Sequence, residues 1–349
     1  MPESFEVAFT ADFLSNGKLV FKDIGLNLLN EAKSIHYRFL DHYEPTLSAN
    51  EIDGIDALIS LAPRITTDSL ARADRLIAIC RFGVGYDMVN VKACTEADVA
   101  LFIAVGAVNH SVAEAILGWM LALGHHFKQK DRLTREGRWN EKSYWMGTEI
   151  RRKIVGIVGL GGIGGHLAGL LRPFGTQEMI AFDPYVDLAR AKSLGVRMVA
   201  LPELLKASDY VVVCCPLTEK TRGLLASTEL ALMKPSAYLI NTARGGIVDE
   251  NALVERLQSR AIAGAAIDVF ASEPVSNQHP LCQLDNVILA PHAIAWTDEL
   301  FEELGSMCCR QVATLAKGEI PEGLVNQEVR QRPGFQEKLQ RQAKAERRV

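Results

Sequence analysis

The chain has 349 residues, 48% of them hydrophobic, and a formal net charge of −4. That length suits two domains with cores of their own, and the charge offers no electrostatic case for nucleic acid. No window approaches the roughly 20 unbroken apolar residues of a membrane span, and the N-terminus lacks the basic-then-apolar pattern of a secretory signal. Seven cysteines show no metal-ligand spacing. Buried, reduced thiols in a cytoplasmic protein without a metal is the expectation.

In chain order, strand-like runs fall at residues 57–60, 76–80 and 100–103, then at 154–158, 179–182, 210–214, 237–241, 264–268 and 287–290. Helical segments separate them, an alternation that predicts parallel sheets built from βαβ units, an α/β fold. The first three runs lie too far from the later ones to extend one sheet, so they predict a smaller α/β domain. Residues 108–127 are apolar around most of a helical circumference, which predicts a helix buried on nearly all sides, between domains and against a second subunit. Residues 128–150 read as a polar loop with Trp139, Tyr144 and Trp145, aromatics that suit a subunit contact or a satellite core. A helix over 297–315 is expected to return to the first domain. The segment 330–349 is rich in Arg, Lys, Gln and Glu and is expected to be a solvated tail.

The stretch from Lys153 to Asp183 is the most informative. After the run Ile154–Val158 come Gly159, Gly161 and Gly164 in the pattern G-x-G-x-x-G, then a helical segment, then an apolar run ending in Asp183, nineteen residues after Gly164. The first glycine permits a tight turn, the second lets a pyrophosphate approach the backbone, and the third lets the helix pack closely on the sheet. Helix N-terminal N–H groups favour the phosphates. Asp183 can accept both ribose hydroxyls and repels a 2′-phosphate, so NAD is expected over NADP. Arg190, the nearest basic residue able to receive such a phosphate, sits some distance on.

Hydride reduction of a carbonyl needs a proton donor for the developing alkoxide and positive charge to polarise the carbonyl. In a doubly wound sheet, ligands lie beyond the carboxyl ends of the strands. Arg244 follows the run at 237–240, Glu273 precedes a proline beyond 264–268, and His292 follows Pro291 beyond 287–290. A carboxylate neighbour raises a histidine's affinity for its proton, so a Glu273–His292 pair would keep an imidazolium available. The turn Arg81–Asp87, with Gly83 and Gly85, could offer N–H groups to a carboxylate or be an ordinary strand-to-helix turn.

These residues lie in segments that resemble the D-2-hydroxyacid dehydrogenase family, in the group of phosphoglycerate dehydrogenase and glyoxylate/hydroxypyruvate reductases. The resemblance spans about residues 55–326. It rests on RFGVGYDMVN, SVAEAILGWMLAL, MGTEIRRKIVGIVGLGGIG, CCPLTEKTRGLL, MKPSAYLINTARGGIVDENAL, GAAIDVFASEP and NVILAPH. It implies two Rossmann-like or flavodoxin-like parallel-sheet domains, the cofactor domain inserted into the substrate domain. The substrate domain would be 1–107 with 297–329 and the NAD-binding domain 108–296, the two closing over the substrate. The resemblance further implies a catalytic set of Arg244, Glu273 and His292, and substrate contacts from Val84, Gly85 and Arg244. Cofactor contacts would come from Gly159, Gly161, Gly162, Ile163, Gly164, Asp183, Pro216, Thr221, Thr242, Ala243 and Asp268. A homodimer joined through the cofactor domain is implied as well.

The chain departs from the family pattern at three places. Gly162 stands where Arg or Lys is common. Ser60 stands where phosphoglycerate dehydrogenases place an arginine for the substrate phosphate, with Arg64 as a possible substitute. Trp296 lies where many members carry a glycine-rich stretch, which would reshape the pocket. The expectation is therefore an NAD(H)-dependent reductase of a small, unphosphorylated 2-oxo acid. Phosphoglycerate dehydrogenase, or an NAD-sensing module like the corepressors resembling this family, are the alternatives, and formate dehydrogenase is disfavoured by the Glu–His pair.

Overall fold

The structure is a computed structural model that describes residues 4–32 and 34–346. The chain divides into two compact units, Met1–Val108 with Trp296–Val349, and Asn109–Ala295. Among the described residues, no helix is long and apolar enough to cross a membrane.

The first unit is built on β1 (Phe5–Phe9), β2 (Ile35–Phe39), β3 (Ala57–Ser60), β4 (Ala78–Arg81) and β5 (Ala100–Ile103). The order is β2-β1-β3-β4-β5, with every pair parallel. Strand β3 is buried along its whole length, as expected of a sheet covered on both faces. Two of these strands are not among the three expected runs. In β2 the exposed His36 interrupts the apolar run and Arg38 breaks it again, because an edge strand buries only alternate residues.

The second unit has β6 (Ile154–Val158), β7 (Glu178–Phe182), β8 (Arg197–Met198), β9 (Tyr210–Val213), β10 (Tyr238–Asn241), β11 (Gly264–Ile267) and β12 (Val287–Leu289). They form one parallel sheet in the order β8-β7-β6-β9-β10-β11-β12. Separate apolar clusters cover the two faces. Val211 and Val213 belong to one, Tyr210 and Val212 to the other, which is the two-residue alternation of a strand. The strand order reverses between β6 and β9, so a crevice opens beyond their carboxyl ends.

Helix α1 (Asn109–Gly124) buries Ala113, Ile116, Trp119, Met120 and Leu123, while Val112, Leu117 and Leu121 stay partly buried. His126 adopts the left-handed conformation (φ 55°) and starts α2 (Phe127–Arg135). The region expected to be a loop thus contains α2 and a 3₁₀ helix over Trp139–Trp145. Further along lie α3 (Gly162–Leu171), α4 (Leu188–Ser193) and α5 (Glu250–Gln258).

The chain then returns to the first unit through α6 (Asp298–Ala316), whose first turn is capped by Thr297 Oγ1 accepting from the Leu300 N–H at 3.1 Å. Residues 330–346 correct the expectation of a solvated tail. They contain α7 (Pro333–Glu346), and Phe335 is fully buried. Lys338 Nζ donates to the carbonyls of Ala73, Leu76, Ala97 and Asp98 at 2.8–3.3 Å. Gln342 Nε2 donates to Asp56 Oδ1 at 3.2 Å. One aromatic ring and the long side chains of nominally solvent-seeking residues suffice to dock the helix. Residues 347–349 of that expected tail lie outside the described residues.

Candidate active site

At the carboxyl end of β6 the chain turns sharply into α3. Gly159 has φ 98°, and a Cβ there would lie 2.7 Å from the Cys215 nitrogen. Gly164 is equally constrained, since its Cβ would meet the Gly159 carbonyl oxygen at 2.3 Å. Gly161 has nothing within 4 Å of its Cβ position. That open cradle sits before a helix whose first N–H groups have no intrahelical partner, and it fits a diphosphate. Gly162 has a different reason to be glycine: a Cβ there would meet Asn109 Oδ1 at 2.4 Å.

Asp183 follows β7 directly. Its Oδ2 accepts from the Leu160 N–H at 2.8 Å and its Oδ1 from the Tyr185 N–H at 2.9 Å. The carboxylate therefore ties the strand tip to the glycine turn and keeps a negative charge there. Thr221 Oγ1 donates to the Pro216 carbonyl at 2.6 Å and accepts from the Thr218 N–H at 2.7 Å, closing the loop after β9.

The loops after β10, β11 and β12 carry Arg244, Glu273 and His292. Asn241, the last residue of β10, holds its loop through Nδ2 to the Arg244 carbonyl and Oδ1 from the Ala243 N–H, both at 3.1 Å. Arg244 Nη1 donates to the Ala243 carbonyl at 2.7 Å, and Thr242 lies between Asn241 and Ala243. A Cβ on Gly245 would lie 2.0 Å from the Phe270 carbonyl oxygen, so the arginine loop rests directly on the glutamate loop. Glu273 Oε1 accepts from the Phe270 N–H at 2.9 Å and Oε2 lies 2.8 Å from His292 Nδ1. A carboxylate only accepts, so Nδ1 carries the hydrogen and Nε2 is left for chemistry. His292 sits at φ 55°, and its N–H donates to the Asp268 carbonyl at 2.8 Å. Asp268 Oδ1 accepts from the Ala293 and Ile294 N–H groups at 2.9 and 3.2 Å. Burial pushes the Asp268 carboxyl above its ordinary range, while those two N–H groups oppose the shift. Asp268 thus fixes the backbone on which His292 stands.

Val84, Gly85 and Trp296 belong to the first unit. Gly83, at φ 146° after β4, lets the chain turn there, and its carbonyl accepts from the Ala104 N–H at 2.9 Å. Trp296 is 54% exposed and packs edge-on to Phe301 and Phe21, which stack on each other with centroids 3.7 Å apart. Ser60 is 1% exposed at the end of β3.

Two contributors escape the sequence reading. Glu250, at the start of α5, accepts from the Ala271 N–H and lies 3.2 Å from His279, bracing the glutamate loop. Arg190, expected only as the nearest, somewhat distant, candidate for a 2′-phosphate, instead reaches the glycine turn, Nη2 donating to the Gly161 carbonyl at 3.2 Å. A basic residue in the first turn of the helix after the acidic strand tip is the signal that could have found it. Among the described residues no cluster of side chains could hold a metal ion.

A parallel sheet with a switch-point crevice, a glycine turn and a Glu–His pair defines a dinucleotide-binding α/β protein of the dehydrogenase class. Residues 117–293 match the family model of the NAD binding domain of D-isomer specific 2-hydroxyacid dehydrogenases, and the chain belongs to that family. It is 36% identical over 306 residues to a glyoxylate reductase of Aeropyrum pernix, covering 84% of this chain and 89% of that one. It is 38% identical over 264 residues to a D-3-phosphoglycerate dehydrogenase of Methanocaldococcus jannaschii, covering 75% of this chain and 50% of that one. The chain thus spans about half the length of that relative. A solved structure from Thermus thermophilus superposes with a TM-score of 0.80 at 27% identity, covering 92% of this chain and 100% of that one.

Proposed function

We propose that the protein is an NAD(H)-dependent D-2-hydroxyacid dehydrogenase that reduces a small, unphosphorylated 2-oxo acid. The observation that carries this reading is the Glu273–His292 pair at 2.8 Å, on a loop packed against the one bearing Arg244. Bound NADH would supply the hydride. His292 Nε2–H gives its proton to the developing alkoxide, Glu273 holds the ring through Nδ1–H, and Arg244 places positive charge on the carbonyl oxygen. The N–H groups of Val84 and Gly85 take the substrate carboxylate, and Trp296 borders the substrate's side chain. Gly159, Gly161, Gly162, Ile163, Gly164, Asp183, Pro216, Thr221, Thr242, Ala243 and Asp268 form the cofactor cradle, and the negative charge at Asp183 favours NAD over NADP.

Absence of a phosphate on the substrate is supported by Ser60, whose buried hydroxyl offers no cation. The test is NADH oxidation, followed by absorbance, against glyoxylate, hydroxypyruvate, pyruvate, 2-oxobutyrate, phenylpyruvate and phosphohydroxypyruvate. An unphosphorylated acid should turn over fastest. Preference for phosphohydroxypyruvate would instead assign the phosphoglycerate reaction, and silence with NADH still bound would assign a sensing role. His292→Gln should lower kcat by about 10²- to 10⁴-fold, the usual worth of a general acid, with NADH affinity unchanged. Undiminished turnover in that variant would remove His292 from the mechanism.

A further inference from the structure

The family's frequent cation after the second glycine is missing here, because residue 162 is glycine and the Asn109 carboxamide fills the space a side chain would take. A cation nevertheless reaches this turn from elsewhere. Arg190 stands in α4, whose start is fixed by Asp187 Oδ1 accepting from the Ala189 N–H at 3.1 Å. Its Nη2 donates to the Gly161 carbonyl at 3.2 Å and lies 3.5 Å from the Cβ position of Gly165. The guanidinium therefore lies against the flank of the first turn of α3, beside the glycine turn.

Resting on the NAD-binding reading above, we propose that Arg190 is a cationic anchor for the cofactor's diphosphate, its charge supplied from α4 and not from residue 162. A guanidinium carries five N–H donors, and the bond to Gly161 uses one of them. The others form a planar fork suited to phosphate oxygens. The carbonyl bond holds the fork at the turn. Asp183, with its charge at the strand tip, argues against the 2′ position of the ribose as the target.

The experiment is a fluorescence titration of the full chain with NADH and NADPH, and displacement of NADH by ADP and by adenosine, in wild type, Arg190→Met and Arg190→Lys. Arg190→Met keeps the aliphatic stem of an exposed side chain, so folding is not at stake. It should weaken NADH and ADP by about three- to tenfold, as expected for one charge-assisted contact, and leave adenosine unchanged. Its NADH affinity should also fall less steeply with added salt, and Arg190→Lys should recover part of the loss. Unchanged NADH and ADP binding would overturn the proposal. So would an equal loss for adenosine, which would mean base stacking, or a loss confined to NADPH, which would mean a 2′-phosphate contact. A wild-type protein that binds neither NADH nor ADP would overturn the cofactor reading itself, and this one with it.

Discussion

Gly159 and Gly169 lie ten residues apart on either side of the start of α3 and answer to different constraints. At Gly159 a methyl group would be driven into the Cys215 backbone at a φ of 98°, whereas Gly169 has open space around its Cβ position inside the helix. Gly159→Ala should therefore distort the turn and weaken NADH binding at least about tenfold, a cost of roughly 1.4 kcal/mol or more at a strained backbone position. Gly169→Ala should keep NADH binding and raise stability by about 0.5–1 kcal/mol, the helix propensity difference between the two residues. Titration with NADH and urea denaturation of both variants test this together, and equal NADH affinity in the two would sink the account of the turn. The thiols near this turn are inert for a related reason. Cys215 is pushed up to about 11 by burial, and Cys214 is raised by burial as well, so neither is a nucleophile at neutral pH.

Helix α7 shows how little apolar surface an element needs. Phe335 is its fully buried ring, and the three N–H donors of Lys338 Nζ are shared among the carbonyls of Ala73, Leu76, Ala97 and Asp98. Phe335→Ala should cost about 3 kcal/mol, the lower end of the range for a buried aromatic. Lys338→Met should cost about 2 kcal/mol, because removal of a donor strands buried acceptors. Both are read as shifts in the urea midpoint with the slope unchanged. A helix that lay on the surface without packing would show neither shift. Composition alone misjudged this element, because it counts charges and not where the stems of charged residues lie. Strand β2 was missed for a related reason, since its alternation is legible only once the partner strand is known.

At the scale of the molecule, the second unit carries apolar surface that its own fold leaves in water. Trp139, Tyr144 and Met146 are 64%, 80% and 78% exposed, and Phe127 at the start of α2 is 55% exposed. Patches of this kind mark protein contacts. With the family resemblance, they are the basis on which we propose a homodimer formed through this unit. Light scattering should give twice the chain mass, and Tyr144→Glu with Trp139→Glu should shift the protein to one chain mass. A wild-type monomer at micromolar concentration would refute the assignment.

What could be determined from the amino-acid order alone was whatever is local. The glycine turn, the nine runs that became β3, β4, β5, β6, β7, β9, β10, β11 and β12, the acidic strand tip and the positions of Arg244, Glu273 and His292 all rest on short-range pattern and chain chemistry. Turn geometry, strand periodicity and the rule that ligands gather at carboxyl ends operate within a few residues. Only the tertiary structure could decide contacts between residues far apart in the chain. It brought Glu273 Oε2 to His292 Nδ1, laid Gly245 on Phe270, set Asn109 against Gly162, carried Arg190 to Gly161 and docked α7 through Phe335. Those pairings depend on how helices and strands from distant segments pack, and packing follows shape complementarity across the whole core, which no local pattern encodes.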